Sequence, residues 1–319
     1  MLFQIFRMGM GKWLILMRHR LMATWRRQVP TRRLTIPHWA ADPQTLRCWG
    51  NIHNGQQNSE QPNVQFTALK DPFNHPKSED RLEDFWMLYG NVTAFSDRIK
   101  SYLFSKACRD LFSAYCLVET KIKSSEMSSI ENILEQHNLH SAINPGEGSA
   151  SGDGIHGGEL VAVNSNLNFR SVDKTVIKRI EIETGTAVRF AAGILRFKDF
   201  SFILCTLYLR CSVGMNEENE IRMKQLSMLQ ALVGLPFMMP GDYNMSSDVL
   251  WKSGWPQHLR ATVVDVQDCL STLRYTSGRL IDFLLISDSM VAVLKEVVLY
   301  PEFPSTPHYS LAIKLHRSP

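Results

Sequence analysis

Apolar runs of five to ten residues alternate with polar and amphipathic stretches from about residue 85 to the end of the chain. Runs this short, rich in aromatic and β-branched residues, are typical of buried strands. The strands predicted in this way are 85–92, 114–118, 159–163, 187–196, 200–208, 235–239, 279–287, 295–300 and 310–316. The polar pair Lys198-Asp199 separates two of these runs and predicts a hairpin.

Three stretches between these runs have the periodicity of amphipathic helices. Residues 97–112 place apolar side chains about four positions apart, and residues 217–232 repeat the pattern. A third helix is predicted at 128–137, where Ser128, Ser129 and Glu131 suggest a capped start. Residues 144–158 are rich in glycine and predict a loop.

Strands that occur both in hairpins and in strand–helix–strand steps predict mixed sheets. The fold class is therefore α/β (α+β), and two such sheets packed face to face with helices outside would form a four-layer sandwich. About 235 residues are enough for one domain of this kind. We assign this domain to residues 81–319.

The first 80 residues differ in composition and predict a separate basic extension. Residues 1–41 contain eight Lys and Arg and no acid, whereas residues 42–319 carry 27 basic and 31 acidic side chains. The extension is interpreted as an organelle-targeting peptide, as a poorly ordered segment or as a tether to nucleic acid. Residues 42–80, rich in Asn, Gln, Pro and His, predict loop.

Charge and cysteine use exclude several classes of protein. A body of net charge −4 argues against binding of nucleic acid by bulk charge, so phosphate chemistry there needs a local site. The apolar stretch 2–17 is interrupted by Arg7 and Lys12, which argues against a membrane span or secretory signal. The six cysteines form no CxxC pair, which favours reduced thiols and an intracellular location, in the nucleus or an organelle.

The strongest candidate for chemistry is the GDYN segment at 241–244, directly after a predicted strand. Asp242 can bind a hard cation or take a proton from water, and Asn244 can donate to a phosphate oxygen. The structural alternative is a Gly-Asp turn followed by an Asn helix cap.

Three further polar residues lie beside or within apolar strands. Glu119 follows the strand 114–118, where a carboxylate suits Mg²⁺. Asp282 lies inside an apolar strand and needs a specific partner, because an unpaired buried charge is costly. A pair of Asp282 with His308 would fix the imidazole tautomer and raise its basicity. Taken alone, Glu119 is better explained as a solvated strand end, and a lone histidine in a loop is more often structural or exposed.

Seven short motifs occur in an order that resembles one known superfamily. They are GN at 90–91, VETK at 118–121, HGG at 156–158, LYL at 207–209, GDYN at 241–244, LIDFLLIS at 280–287 and TPHYSL at 306–311. The chain from about 85 to 316 resembles the endonuclease/exonuclease/phosphatase superfamily, which includes DNase I-like nucleases, apurinic endonucleases and retroelement endonucleases. The VETK and GDYN forms are most similar to the retroelement type. The resemblance implies a DNase I-like fold and a metal-dependent phosphodiesterase.

The resemblance also implies a role for each matching residue. Glu119 would be the main metal ligand, Asn91 would orient metal or phosphate, and Asp242 would share in metal binding and position the attacking water. The metal would be Mg²⁺ or Mn²⁺, acting as a Lewis acid on the phosphate.

The remaining implied roles concern the phosphate. Tyr208 and Asn244 would contact its oxygens, and His308, oriented by Asp282, would stabilise charge that develops on phosphorus. Arg210 stands where the family usually has Pro-Asn after the tyrosine, and would serve the phosphate instead or lie on the surface.

One departure bears on activity. Pro307 precedes His308, where the family has an aspartate that assists the metal and the nucleophile. The leading hypothesis is a monomeric Mg²⁺-dependent nuclease that acts on DNA rather than RNA, with no membrane association. The alternatives are a catalytically weak or inactive retroelement-derived relative that acts as a binding module, and a phosphatase of small phosphate esters on the same fold.

Overall fold

The computed structural model describes residues 84–148, 154–266, 272–274 and 279–316. The strands are β1 (Asp84–Asn91), β2 (Ala114–Val118), β3 (Leu139–Asn144), β4 (Glu147–Gly148), β5 (Ile155–His156), β6 (Glu159–Asn164), β7 (Asn168–Ser171), β8 (Phe190–Arg196), β9 (Ser201–Tyr208), β10 (Phe237–Asp242), β11 (Ala261–Val264), β12 (Asp282–Ser287), β13 (Leu294–Tyr300) and β14 (Ser310–His316). The helices are α1 (Asp97–Leu103), α2 (Lys106–Leu111), α3 (Met127–Gln136), α4 (Lys174–Thr184), α5 (Glu217–Val233), α6 (Ser247–Lys252) and α7 (Trp255–His258). The predicted basic extension at 1–80 lies outside the described residues, so its assignment stays a prediction.

Twelve of these strands form two six-stranded sheets. Both sheets are mixed, as the sequence predicts. The first has the order β13-β14-β1-β2-β6-β3, and the second has the order β11-β12-β10-β9-β8-β7. In the first sheet β1 runs parallel to β2 and antiparallel to β14. In the second, β9 runs parallel to β10 and antiparallel to β8. The strands β4 and β5 pair separately, within the predicted glycine-rich loop.

Period-two alternation of apolar side chains divides the core into layers. Along β1, Phe85, Met87 and Tyr89 join an apolar cluster with residues of the second sheet, whereas Leu88 packs with the helices α1–α3. The opposite face of the second sheet packs against α4 and α5. The result is the predicted four-layer sandwich, with one core between the sheets and one under each helical layer.

Several local predictions differ from the structure. The helix predicted over 97–112 is two helices, because the Ser105 hydroxyl accepts a hydrogen bond from the Cys108 amide and starts a new N-terminus. The helix α3 begins at Met127, so Ser128 and Ser129 lie inside it and do not cap it. The strand β10 continues through Pro240 to Asp242, where Thr206 Oγ1 donates to the Pro240 carbonyl at 3.0 Å.

Elements with weak local patterns were absent from the prediction: β3, β7, β11 and α4. Pairing with β6 supports β3, whose own sequence alternates poorly. Within the described ranges, no helix is both long enough and apolar enough to cross a bilayer.

Candidate active site

The strand registers bring polar side chains to one end of the sandwich. Across the first sheet, cross-strand pairing aligns Asn91, Val118, Glu159 and Asn144 in a row. Across the second sheet, it aligns Asp282, Asp242 and Tyr208. The side-chain hydrogen bond from Asn91 to Asp242 joins the two rows, which therefore meet at the rim of the central core.

The centre of this rim is a buried group of two carboxylates and one imidazole. His308 Nδ1 lies 2.8 Å from Asp282 Oδ2, and His308 Nε2 lies 3.8 Å from Asp242 Oδ2. All three residues are buried, and one donor atom of each lies within 4.8 Å of the others. The Asp282–His308 pair anticipated from the sequence is therefore present in the structure.

Residues of β1 connect this group to the first sheet. Tyr89 Oη donates to Asp282 Oδ1 at 2.8 Å, and Asn91 Nδ2 donates to Asp242 Oδ2 at 3.0 Å. Tyr89 and Asn91 are two positions apart and therefore point to the same side of the strand. Asp282 consequently accepts hydrogen bonds on both oxygens, from Tyr89 Oη and from Nδ1 of His308.

Burial and neighbouring charges shift the acid–base properties of these groups. Burial and the charge of Asp282 raise the pKa of Asp242 to about 8, although His308 and the Asn244 and Asn91 donors act in the opposite direction. Burial would lower the pKa of His308, but the hydrogen bond and charge of Asp282, with Asp242, outweigh it and raise the pKa. The site therefore favours a positive charge beside the two carboxylates.

Glu119 and Tyr208 lie next to this centre. Tyr208 pairs with Asp242 in the sheet register, and burial, followed by the charge of Glu119, raises the pKa of its hydroxyl, which also hydrogen-bonds to Glu119. Glu119 is half-buried and has a positive φ of 57° directly after β2. Among the described residues it is not a member of the group of three around Asp242.

The HGG turn holds the segment that carries Glu119. The Thr120 and Lys121 amides donate to the Gly158 and Gly157 carbonyls, each at 2.9 Å. Gly158 has a φ of +90°, and a Cβ atom there would lie 2.7 Å from Thr120 Oγ1. Only glycine fits this approach, so the motif acts by placing the backbone beside Glu119.

Two residues predicted to bind phosphate are engaged elsewhere. The side-chain Nδ2 of Asn244 donates to the Leu209 carbonyl at 2.8 Å, while the backbone N–H of Asn244 donates to Asp242 Oδ1 at 3.0 Å. Arg210 forms an ion pair with Glu218 at 2.7 Å, and its side chain is 62% exposed. Arg210 thus lies on the surface beside the rim, and Asn244 braces the end of β10.

The residues present fit a hard divalent cation. Glu119, Asp242 and the Asn91 amide would supply oxygen ligands of the kind that Mg²⁺ and Mn²⁺ prefer. Burial, followed by the charge of Asp282, raises the pKa of Asp242, and a cation bound beside these carboxylates would relieve both effects. The Asn91 amide oxygen already accepts from the Thr93 amide at 3.2 Å, which leaves it a second lone pair.

Several site residues were not found from the sequence. Tyr89 could have been, because it precedes Asn91 by two positions on the same strand face. Thr272 accepts hydrogen bonds from the Ile281 and Asp282 amides, and no local signal indicates this contact. Arg222, 14 positions after Tyr208, donates to the Tyr208 carbonyl oxygen at 2.5 Å.

Glu159 is a further buried acid on the rim that the sequence did not single out. It is 2% exposed and accepts a hydrogen bond from Asn144 Nδ2 at 2.6 Å. Burial raises its pKa to about 7, and the charge of Glu119 acts in the same direction. The free energy that burial of Glu159 costs the folded protein therefore depends on pH.

Comparison with solved structures places this architecture among known folds. The superposition with the AP endonuclease LMAP from Leishmania major has a TM-score of 0.58 at 12% identity, and covers 77% of this chain and 92% of that one. The chain has the DNase I-like endonuclease/exonuclease/phosphatase fold. Neither a family model nor a curated protein matches the sequence.

Two other solved structures share this DNase I-like fold. The endonuclease domain of TRAS1, a telomere-specific non-LTR retrotransposon, has a TM-score of 0.54 at 12% identity, with coverage of 74% of this chain and 100% of that domain. The human Nocturnin catalytic domain, solved with a bound sulfate anion, has a TM-score of 0.51 at 14% identity and covers 73% and 93% of the two chains. The fold anticipated from the seven motifs is confirmed.

Glu159→Gln should stabilise the protein at alkaline pH and have little effect in acid. The folded-state pKa of about 7 lies above the usual 4.5, so the stability associated with protonated Glu159 is lost as pH rises through this interval. At pH 8 the gain in free energy of unfolding should be on the order of 3 kcal/mol as an upper bound. Thermal denaturation in EDTA at pH 4.5 and pH 8 measures it.

The exposed Glu135→Gln, on helix α3, is the matched control and should leave the pH dependence unchanged. A gain in stability of Glu159→Gln that is equal at both pH values would show that ionisation of Glu159 is not its source.

Proposed function

We propose that this protein is a divalent-metal-dependent phosphodiester hydrolase, acting as a nuclease on DNA. The observation that carries the proposal is the buried Tyr89–Asp282–His308 relay, whose imidazole faces Asp242 at the rim. An imidazole that one carboxylate orients can stabilise negative charge on a phosphate. A second carboxylate opposite the imidazole can accept a proton from the attacking water.

In this proposal each residue acts on a defined atom. Asp242 accepts a hydrogen bond from the attacking water and takes its proton. His308, fixed by Asp282, donates from Nε2 to a phosphate oxygen on which negative charge increases in the transition state. The Tyr208 hydroxyl, kept protonated by its raised pKa, can donate to the phosphate once it exchanges its Glu119 contact for substrate.

Glu119 and Asp242 would hold the metal, with Asn91 completing or orienting the site. When bound, Mg²⁺ or Mn²⁺ would supply Lewis-acid stabilisation of the phosphate and the leaving oxygen. No carboxylate precedes His308, because that position is Pro307, whose carbonyl accepts a hydrogen bond from the Arg274 amide at 2.8 Å. The chemistry proposed therefore relies on Asp242 for the water.

The choice of DNA is supported by the neighbours in fold, which include an AP endonuclease and the endonuclease domain of a retrotransposon. The net charge of residues 42–319 is −4 and does not favour nucleic acid by itself, so the proposal has the substrate engaged through the rim and through the basic residues 1–41. The proposal also includes a monomeric protein located in the nucleus or an organelle.

The 319-residue chain should cleave a plasmid, an abasic duplex or single-stranded DNA when Mg²⁺ or Mn²⁺ is added, and should lose this activity in EDTA. The reason is that the carboxylate-rich rim needs a cation to neutralise an incoming phosphate. RNA of the same sequence and p-nitrophenyl phosphate are assayed in parallel. Gel separation of end-labelled products distinguishes endonuclease from exonuclease cleavage.

Hydrolysis of p-nitrophenyl phosphate without cleavage of DNA would contradict the nuclease and favour a phosphatase of small esters. If no substrate is cleaved and Mg²⁺ causes no shift in thermal denaturation, the hydrolase proposal is wrong, and a binding module on this fold is the better description.

A further inference from the structure

The loop between β13 and β14, residues 301–309, carries His308 and has no regular secondary structure. A functional imidazole needs to be held within a fraction of an ångström, which a loop alone does not provide. His308 is nevertheless buried, with 8% of its surface exposed. Something outside the loop must therefore fix its backbone.

The Arg274 guanidinium is bonded to this loop at four carbonyl oxygens. Nε donates to Ser305 at 3.1 Å and to His308 at 3.3 Å. Nη2 donates to Pro301 at 3.0 Å and to Phe303 at 3.1 Å. The guanidinium carbon also lies 4.5 Å from the centre of the Tyr309 ring. A rigid planar fork that binds the loop at both ends and in the middle restricts its conformations.

Residues 272–274, the segment that contains Arg274, also contact Asp282, the partner of His308. Thr272 Oγ1 accepts hydrogen bonds from the Ile281 and Asp282 amides at 3.2 and 3.3 Å. The Thr272 carbonyl accepts from the Tyr309 amide at 2.7 Å, and Leu273 forms an antiparallel bridge with His308. Residues 272–274 therefore link the strand that carries Asp282 to the loop that carries His308.

We infer that Arg274 is a positioning residue that sets the geometry of the His308–Asp282 hydrogen bond. The guanidinium bonds to the carbonyl of His308 itself, so its loss frees the backbone at the residue whose imidazole must reach Asp282. Arg274 binds only backbone carbonyls and one aromatic ring among its described contacts, and acts on substrate through His308 alone. The kinetic consequence rests on the proposed nuclease function, whereas the structural consequence does not.

Arg274→Ala should lower kcat for DNA cleavage about 10- to 100-fold and change KM less than threefold, because misplacement by about an ångström costs this much. In ¹⁵N-histidine-labelled protein, the downfield Nδ1–H proton of the His308–Asp282 bond should broaden or vanish. Guanidinium chloride at low millimolar concentration should raise the kcat of Arg274→Ala at least threefold. Arg274→Lys keeps the charge but not the fork, and should be intermediate in both measurements.

Lys314→Ala is the matched control. Lys314, on β14, lies over the Trp86 ring at 5.0 Å and forms an ion pair with Asp84 at 2.8 Å, so its loss also removes a cationic side chain with an aromatic and a polar contact. It should retain the His308 resonance and kcat within twofold. If Arg274→Ala does not fold, Arg274→Lys is compared with this control in its place.

The inference is overturned if the Arg274 variant keeps the Nδ1–H resonance of the wild type, whatever its kcat. It is also overturned if Lys314→Ala loses the resonance to the same extent. If wild-type protein cleaves no DNA but the resonance is lost only in the Arg274 variants, the positioning role stands and the proposed nuclease function fails.

Discussion

His308→Ala should lower kcat for metal-dependent DNA cleavage by on the order of 10³-fold, with a small change in KM. The imidazole is the one cationic side chain in the group formed with Asp242 and Asp282, and its pKa is raised by Asp282. Removing it takes away the Nε2 donor to the phosphate oxygen on which charge grows. Single-turnover cleavage of an end-labelled duplex measures the chemical step directly.

Removal of His308 also leaves Asp282 buried with one partner fewer, so instability could mimic loss of catalysis. His308→Asn retains a donor toward Asp282 and should fold, yet remain as inactive as the alanine variant. The control is His258→Ala, an exposed histidine bonded to Ser227 at 3.0 Å. Activity of a folded His308→Asn within tenfold of wild type would contradict the role proposed for the imidazole.

Glu119→Gln should weaken Mg²⁺ binding by at least about tenfold and lower kcat/KM at limiting metal by a similar or larger factor. Glutamine keeps the size of the side chain and a contact to Tyr208, and removes only the charge that a hard cation requires. The half-saturating Mg²⁺ concentration for cleavage, and the Mg²⁺-dependent thermal shift, both measure the effect.

Glu126→Gln is its control, since Glu126 is an exposed acid on the same connection between β2 and β3. Among the described contacts its side chain accepts a hydrogen bond from the Lys123 amide alone. It should leave both metal measurements unchanged. An unchanged midpoint for Glu119→Gln would assign the metal to the group of Asp242, Asp282 and His308, without Glu119.

The sheet architecture was predictable because its signal is local. The strand 114–118 is a continuous apolar run, and burial on both faces makes such a run visible without knowledge of its partners. The break at Ser105 was not predictable, since the apolar spacing continues through it and only the cap shows the interruption. The strand β3 depends on pairing with β6 and has little signal of its own.

The site was predictable in part, for a different reason. Motif order identified Asn91, Asp242, Asp282 and His308, which the structure joins by direct side-chain contacts. It could not indicate that Asn244 is bonded to Leu209 or that Arg210 pairs with Glu218, because each such contact depends on where another segment lies. Metal binding by Glu119 and the phosphate roles of Tyr208, Asn244 and Arg210 remain predictions.

The sequence by itself determined which polar residues end or interrupt apolar strands, because strand formation and burial are encoded over a few neighbouring positions. Only the tertiary structure decided which of them meet. Tyr89 and Asp282 are separated by 193 positions, and Asn91 and Asp242 by 151, yet each pair is joined by a hydrogen bond. Their contact depends on the registers of both sheets and on how the sheets face each other. The contacts of Arg274 also depend on the tertiary structure. Its guanidinium donates hydrogen bonds to backbone carbonyls of the loop that carries His308, and nothing in the sequence indicates which carbonyls lie near it.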